Sequence, residues 1–128
     1  MTAVLRLTGV ALTATMAAIH LHLWAGGYRE LATIGVLFLL NGIVGFALAA
    51  ALLVTPGRLL EAVAAGTALF TAGTLGALVL SLTTGLFGFQ ESIDADLVVP
   101  TLAVESAGVA VLAVLFLKER AGRRRVGG

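Results

Sequence analysis

The stretch ATIGVLFLLNGIVGFALAAALLV, residues 32–54, decides the fold. It carries no charged residue. A helix rises 1.5 Å per residue, so this run exceeds the ~30 Å hydrocarbon core of a bilayer. Three more apolar runs flank it, at roughly 4–24, 59–82 and 101–117. In a chain of 128 residues that leaves only short connections. The fold class predicted is all-α: a polytopic membrane protein with a single bundle of four transmembrane helices at about 4–25, 32–54, 59–83 and 100–118.

Composition agrees. Hydrophobic residues make up 59% of the chain and charged residues 12%, against about 25% charge in an ordinary soluble domain. The absence of cysteine excludes disulfides, thiol redox chemistry, Cys-ligated zinc and iron–sulfur clusters. No Walker lysine motif, GxGxxG, HExxH or GxSxG is present. The common soluble enzyme chemistries therefore lack their parts.

Punctuation sets the connections. Pro56-Gly57 predicts a tight hairpin between the second and third helices. The apolar stretch from Leu59 to Phe89 is too long for one straight span, and a break is expected near Thr83-Thr84-Gly85. The sequence GLFGF after it is expected at the interface. Pro100 suits the first turn of the fourth helix.

Basic residues are unevenly shared. Arg6, Arg58, Lys118, Arg120, Arg123, Arg124 and Arg125 lie on one side of the expected bundle, and only Arg29 on the other. The positive-inside rule then places both termini in the cytoplasm. The basic segment 118–128 reads as a cytoplasmic tail and a topology signal drawn to anionic lipid, not as a nucleic-acid arm.

Ionisable and amide residues inside the spans are the candidate site, because they are costly in lipid and face an interior or a cavity. Glu105 lies five residues beyond Pro100, and His20 four residues before Trp24. Their depths match, so they are expected to meet, with Arg29 as another partner for the acid. Asn41 sits mid-span in the second helix. An outward-facing polar pocket between helices 1, 2 and 4 is predicted from His20, His22, Tyr28, Arg29, Asn41 and Glu105. Its occupant would be a small ligand, a lipid or quinone headgroup, or a partner membrane subunit; self-association into a homo-oligomer is the other use of the small-residue stripes. Those stripes are Gly42, Gly45 and Ala49 in helix 2, Gly66 and Gly73 with Phe70, or Thr67, Thr71 and Thr74, in helix 3, and Ala103, Ala107 and Ala110 in helix 4.

A metal or haem site is the second reading. Met16 and His20 share a helical face, a soft pair suited to copper. His20 and His22 point about 200° apart on a regular helix and chelate together only if the helix unwinds before Gly26-Gly27. A third reading is a proton-coupled transporter or channel that uses Glu105.

HLHLWAGGYRELATIGVLFLLNGIVG, a glycine-rich third span and GLFGFQESIDADLVVP together resemble a set of uncharacterised small four-span integral membrane proteins of bacteria. The layout is also similar to that of the DoxX-like membrane proteins. The resemblance implies a multi-pass protein of the bacterial cytoplasmic membrane and implies no activity.

Overall fold

The structure, a computed structural model, describes residues 2–127. Four helices account for most of it: α1 (Thr2–Gly26), α2 (Ile34–Val54), α3 (Gly57–Leu82) and α4 (Val98–Gly127). A short 3-10 helix, Tyr28–Glu30, joins α1 to α2. All four helices are long and apolar enough to cross a membrane. Among the described residues there is no strand beyond one isolated bridge, Leu86 to Phe89.

The helices form an open ring. α1 packs on α2 and α4, and α3 packs on α4, while α2 and α3 touch least of the neighbouring pairs. Buried positions follow alternating spacings of three and four residues. In α1 they include Gly9, Thr13, Met16 and His20, with Ala17 beside them; in α4 they include Thr101, Glu105, Gly108, Leu112 and Leu115, with Val98 ahead of them. That spacing is the seam of a left-handed helical bundle. Outside the seam, Val36, Leu40, Ile43, Leu53, Leu69 and Val79 are exposed. Aliphatic residues outward and Thr, Asn, His and Glu inward is the distribution expected of a chain whose solvent is lipid.

Glycine lets α1 and α2 approach closely. A Cβ on Gly42 would lie 2.2 Å from Leu21 Cγ, and one on Gly45 would lie 2.9 Å from Ala17 Cβ. Gly35 sits against main chain, where a Cβ would fall 2.8 Å from Arg29 O. The α3 glycines differ, since Gly66, Gly73 and Gly76 face open space.

The end of the bundle that carries both termini is sealed by apolar side chains. Leu52, Leu60, Ala64, Leu112 and Leu115 form one fully buried cluster there. Arg6 closes the same end with a contact that its role in topology does not reveal. Its Nε donates to Leu52 O at 2.6 Å, and its Nη2 donates to Leu53 O at 3.1 Å and to Thr55 O. These are carbonyls at the C-terminus of α2, which lack helical partners and carry the negative end of the helix dipole. Arg6→Ala is expected to lower stability by about 1.5–3 kcal/mol, the range for hydrogen bonds from a charged donor. Arg6→Lys should recover only part of it, because an ammonium cannot reproduce the guanidinium fork. Thermal unfolding in detergent reads both.

Two boundaries depart from the sequence reading. α4 begins two residues before Pro100, which still lies in the first turn, where a missing N–H is harmless. The basic segment is helical to Gly127, not a separate tail. Arg123 Nε lies 2.7 Å from Glu61 Oε2, so the last turns of α4 are tied to the start of α3. At 1.5 Å per residue α4 is about 45 Å long, and its charged turns extend past any ~30 Å core.

α3 stops at Leu82, where Thr83 and Thr84 precede Gly85 (φ +90°). The following Leu86-Phe87-Gly88-Phe89 is a two-residue hairpin turn. Leu86 and Phe89 exchange both backbone hydrogen bonds at 2.8 Å, with positive φ at Phe87 (+49°) and Gly88 (+77°). These are the signs of a type I′ turn.

Candidate functional site

The weak α2–α3 contact has a consequence. These helices are joined tightly at Thr55-Pro56 but stand apart toward the other end, the loop end. Between them lies a cleft of about 520 Å³, within the range of small-molecule sites. Its walls are Leu37, Phe38, Leu40 and Val44 from α2, and Leu69, Phe70, Ala77 and Leu78 from α3. Leu40 is 48% exposed and Leu69 74% exposed. The cleft therefore opens sideways, onto the face that lipid would cover.

α1 and α4 supply the floor. His20 and Leu23 reach it from α1, Val98 and Thr101 from α4. The sequence reading placed the pocket between helices 1, 2 and 4. It is corrected here: α2 and α3 make the walls, and helices 1 and 4 lie beneath.

His20 is the best-defined group. Its Nδ1–H donates to Met16 O at 2.8 Å, since a carbonyl can only accept. Nε2 then faces Glu105 Oε2 at 3.9 Å. Glu105 is completely buried, and neither of its oxygens has a hydrogen-bond partner among the described residues. With Nδ1 committed, a single further proton would rest on Nε2 or on the carboxyl. Whichever group holds it, the pair is neutral overall, the condition a low-dielectric interior tolerates. Two other buried polar atoms, Thr13 Oγ1 and Asn41 Oδ1, also lack partners.

Asn41 bridges the cleft. Its Nδ2 donates to Thr74 Oγ1 at 3.0 Å, a side-chain link from α2 to α3. Thr74 Oγ1 in turn donates to Phe70 O at 3.0 Å. Thr74 has one hydroxyl hydrogen, so it must accept from Asn41, and the amide nitrogen is the atom facing it.

The loop end is closed by a clasp. Tyr28 stacks on Phe38 at 4.7 Å and meets Phe89 edge-on at 6.0 Å. Its hydroxyl donates to Glu91 Oε2 at 2.6 Å. Phe38 also lies 4.9 Å from the His20 ring. An aromatic ladder thus runs from the buried histidine to the loop. Burial pushes the Tyr28 phenol above its ordinary 10.0, with the Glu91 hydrogen bond and charge adding to the shift.

That shift has a readable sign. A group whose folded pKa is raised contributes stability that is complete below the unfolded value and is lost as pH rises through the folded one. Tyr28 is the only tyrosine, so phenolate absorbance reports it alone. Its titration is expected later than that of a free phenol, and Glu91→Gln should move it back toward 10.0. A wild-type titration at the free-phenol value would contradict the clasp.

The remaining candidates are not brought into the cleft. Arg29 is exposed, pairs with Glu30 at 3.4 Å and lies 6.0 Å over the Trp24 ring. It makes no ion pair with Glu105, whose charged neighbour is His20. His22 is exposed on the opposite side of α1 from buried His20. The helix stays regular through Gly26, so the unwinding that a His20–His22 chelate requires does not occur. Met16 is buried beside His20, but the contact there is its carbonyl, with Nδ1. Among the described residues no three His, Asp or Glu side chains gather in a metal-holding group.

Ser81, Thr101 and Glu91 were missed by sequence reasoning, although all three line the cleft. Hydroxyls in apolar helices are common, and only the placement of α2 and α3 singles these out. Compared with models of known protein families, with curated proteins and with solved structures, the chain matches none.

Proposed function

We propose that this protein is a small multi-pass protein of the bacterial cytoplasmic membrane that binds a lipid-soluble molecule in the α2–α3 cleft. The lateral opening carries this reading. A site for a water-soluble ligand needs a polar mouth, whereas this mouth is framed by exposed Leu40, Val44 and Leu69. The Tyr28–Glu91 clasp covers the loop end, so the lipid side is the open approach.

Both termini are cytoplasmic in this reading, because seven of the eight basic residues lie at their end. The polar end of the cleft then sits in the outer half of the bilayer. Kinship with the small four-span bacterial membrane proteins, DoxX-like in layout, is part of the same proposal.

Binding is favoured over conduction by the plug at the termini end, where five fully buried apolar residues close the bundle beyond the buried threonines. Haem or copper ligation gains no support from His20, whose two nitrogens face Met16 O and Glu105.

A photoactivatable alkane dissolved in the bilayer tests the proposal. It is expected to label residues 37–44 and 69–78 well above other lipid-exposed positions such as Val54 and Leu59. Labelling spread evenly over all exposed aliphatic residues would remove the cleft as a site.

A further inference from the structure

The polar groups of the cleft have one property in common: their hydrogens are already used. Thr74 Oγ1 donates to Phe70 O at 3.0 Å, Ser81 Oγ to Leu78 O at 2.7 Å, and Thr101 Oγ1 to Leu97 O at 2.6 Å. His20 spends Nδ1–H on Met16 O. A hydroxyl has one hydrogen and two lone pairs, so these side chains turn lone pairs toward the cleft. Glu91 adds a carboxylate near the clasp. Asn41 keeps one spare N–H after bonding Thr74, the single exception.

Charge points the same way. No lysine or arginine lines the cleft, and the nearby Arg29 is exposed and paired with Glu30. A carboxylate or phosphate entering here would meet lone pairs and the charge of Glu91, and would exchange its water shell for almost no donors. Such desolvation without partners is costly. A hydroxyl or ammonium would find acceptors on three sides.

Helix register groups those acceptors. Gly9 on α1 lies against Leu112, and Gly108 on α4 faces both Leu12 and Thr71. The two pairings run antiparallel, which brings Thr101 and the last turn of α3 with Ser81 toward one level at the loop end, that of the His20 ring. The Asn41–Thr74 bridge lies deeper, and beyond it the walls are apolar.

We propose that the cleft selects a lipid-soluble molecule whose polar end is a hydrogen-bond donor, a hydroxyl or an ammonium, and discriminates against acids and phosphates. The donor end sits between Ser81 and Thr101, beside the His20 ring, and the hydrocarbon leaves sideways between Leu40, Val44 and Leu69. This inference rests on the reading of the cleft as a binding site, and the test separates the two.

The full chain is reconstituted in phosphatidylcholine nanodiscs with the photoactivatable alkane. Competitors share one hexadecyl chain and end in an alcohol, a primary amine, a carboxylate or a phosphate, each compared at equal concentration in the bilayer. The alcohol and the amine are expected to suppress labelling of the cleft walls at about ten-fold lower concentration than the two anions, the factor that one net hydrogen bond supplies. Ser81→Ala with Thr101→Val should erase the alcohol's advantage and leave the alkane's labelling unchanged. Glu91→Gln sorts the donors: a fall in the amine alone identifies charge as its attraction, and no change in either identifies the neutral acceptors, both within the proposal. Equal competition by all four ends, or stronger competition by an anion, overturns the donor preference while the cleft stands. Failure of the alkane to label the cleft walls defeats the underlying reading instead.

Discussion

Glu105→Leu is expected to make the protein more stable, by about 1–3 kcal/mol, the cost of keeping a buried polar group without a hydrogen-bond partner. The wild-type carboxyl is fully buried, and both its oxygens lack hydrogen bonds. His20 Nε2 is 3.9 Å from its Oε2, beyond hydrogen-bond range. Leucine nearly matches the volume of glutamate and carries no polar atom to desolvate. His20 keeps its bond to Met16 O in the variant, so nothing new is orphaned except a weakly engaged ring nitrogen. A residue that costs stability in place is a candidate for a role other than packing. Unfolding in a defined detergent measures the effect. A loss of several kcal/mol would mean that the carboxyl holds α4 in place and would return Glu105 to a structural role.

Gly42→Leu should have the opposite effect and a comparable size. Even the first carbon of a side chain at position 42 would fall 2.2 Å from Leu21 Cγ and 2.3 Å from Leu21 Cδ2. Leu21 would have to turn aside, and a whole leucine side chain must still fit between α1 and α2, the most extensive helix contact of the bundle, with Gly45 against Ala17 one turn further along. Overpacking of this kind costs about 1–3 kcal/mol, occasionally more. The variant is expected to unfold earlier and to lose the Tyr28–Glu91 clasp, which depends on the α1–α2 corner. Gly66→Leu is the matched control, since a side chain there enters open space. Equal melting of the two variants would contradict the packing described.

These two cases show where the sequence is legible. The spans announce themselves because runs of that length without charge have no other stable environment. Glu105 and His20 stand out for the same reason, and counting from Pro100 and Trp24 puts them at one depth. The inward face of each helix is harder to read. Lipid tails are as apolar as a protein core, so hydrophobicity does not tell one face from the other. In α4 the Ala103, Ala107 and Ala110 stripe looks like an interface, yet all three are exposed. The seam follows the polar and glycine positions Thr101, Glu105 and Gly108 instead. In α3 the glycines face outward and Thr67 and Thr71 face in. Small residues in a membrane span therefore mark an interface only when a neighbour arrives to use them.

Long-range pairings were the least legible. Arg6 reads as one more positive charge until its guanidinium is seen to meet carbonyls nearly fifty positions away. Tyr28 reads as an interfacial aromatic until its hydroxyl is seen to bond Glu91. Neither has a local spacing signal, because each depends on how two turns meet in space. The cleft is of the same kind, since it arises where α2 and α3 fail to pack.

Gly73 allows the central claim to be tested without disturbing the fold. It lines the cleft, and a side chain there meets nothing within 4 Å. Replacing glycine inside a helix also improves helix propensity, by up to about 1 kcal/mol for a good helix former. Gly73→Phe should therefore melt no earlier than the wild type while its ring fills the space between the walls. The decisive measurement is retention of hexadecanol by the two proteins in phosphatidylcholine nanodiscs. Saturable retention by the wild type and none by Gly73→Phe, at equal melting temperature, is the result expected. Equal retention by both proteins would contradict the account, because the alcohol would then be held somewhere other than the α2–α3 cleft.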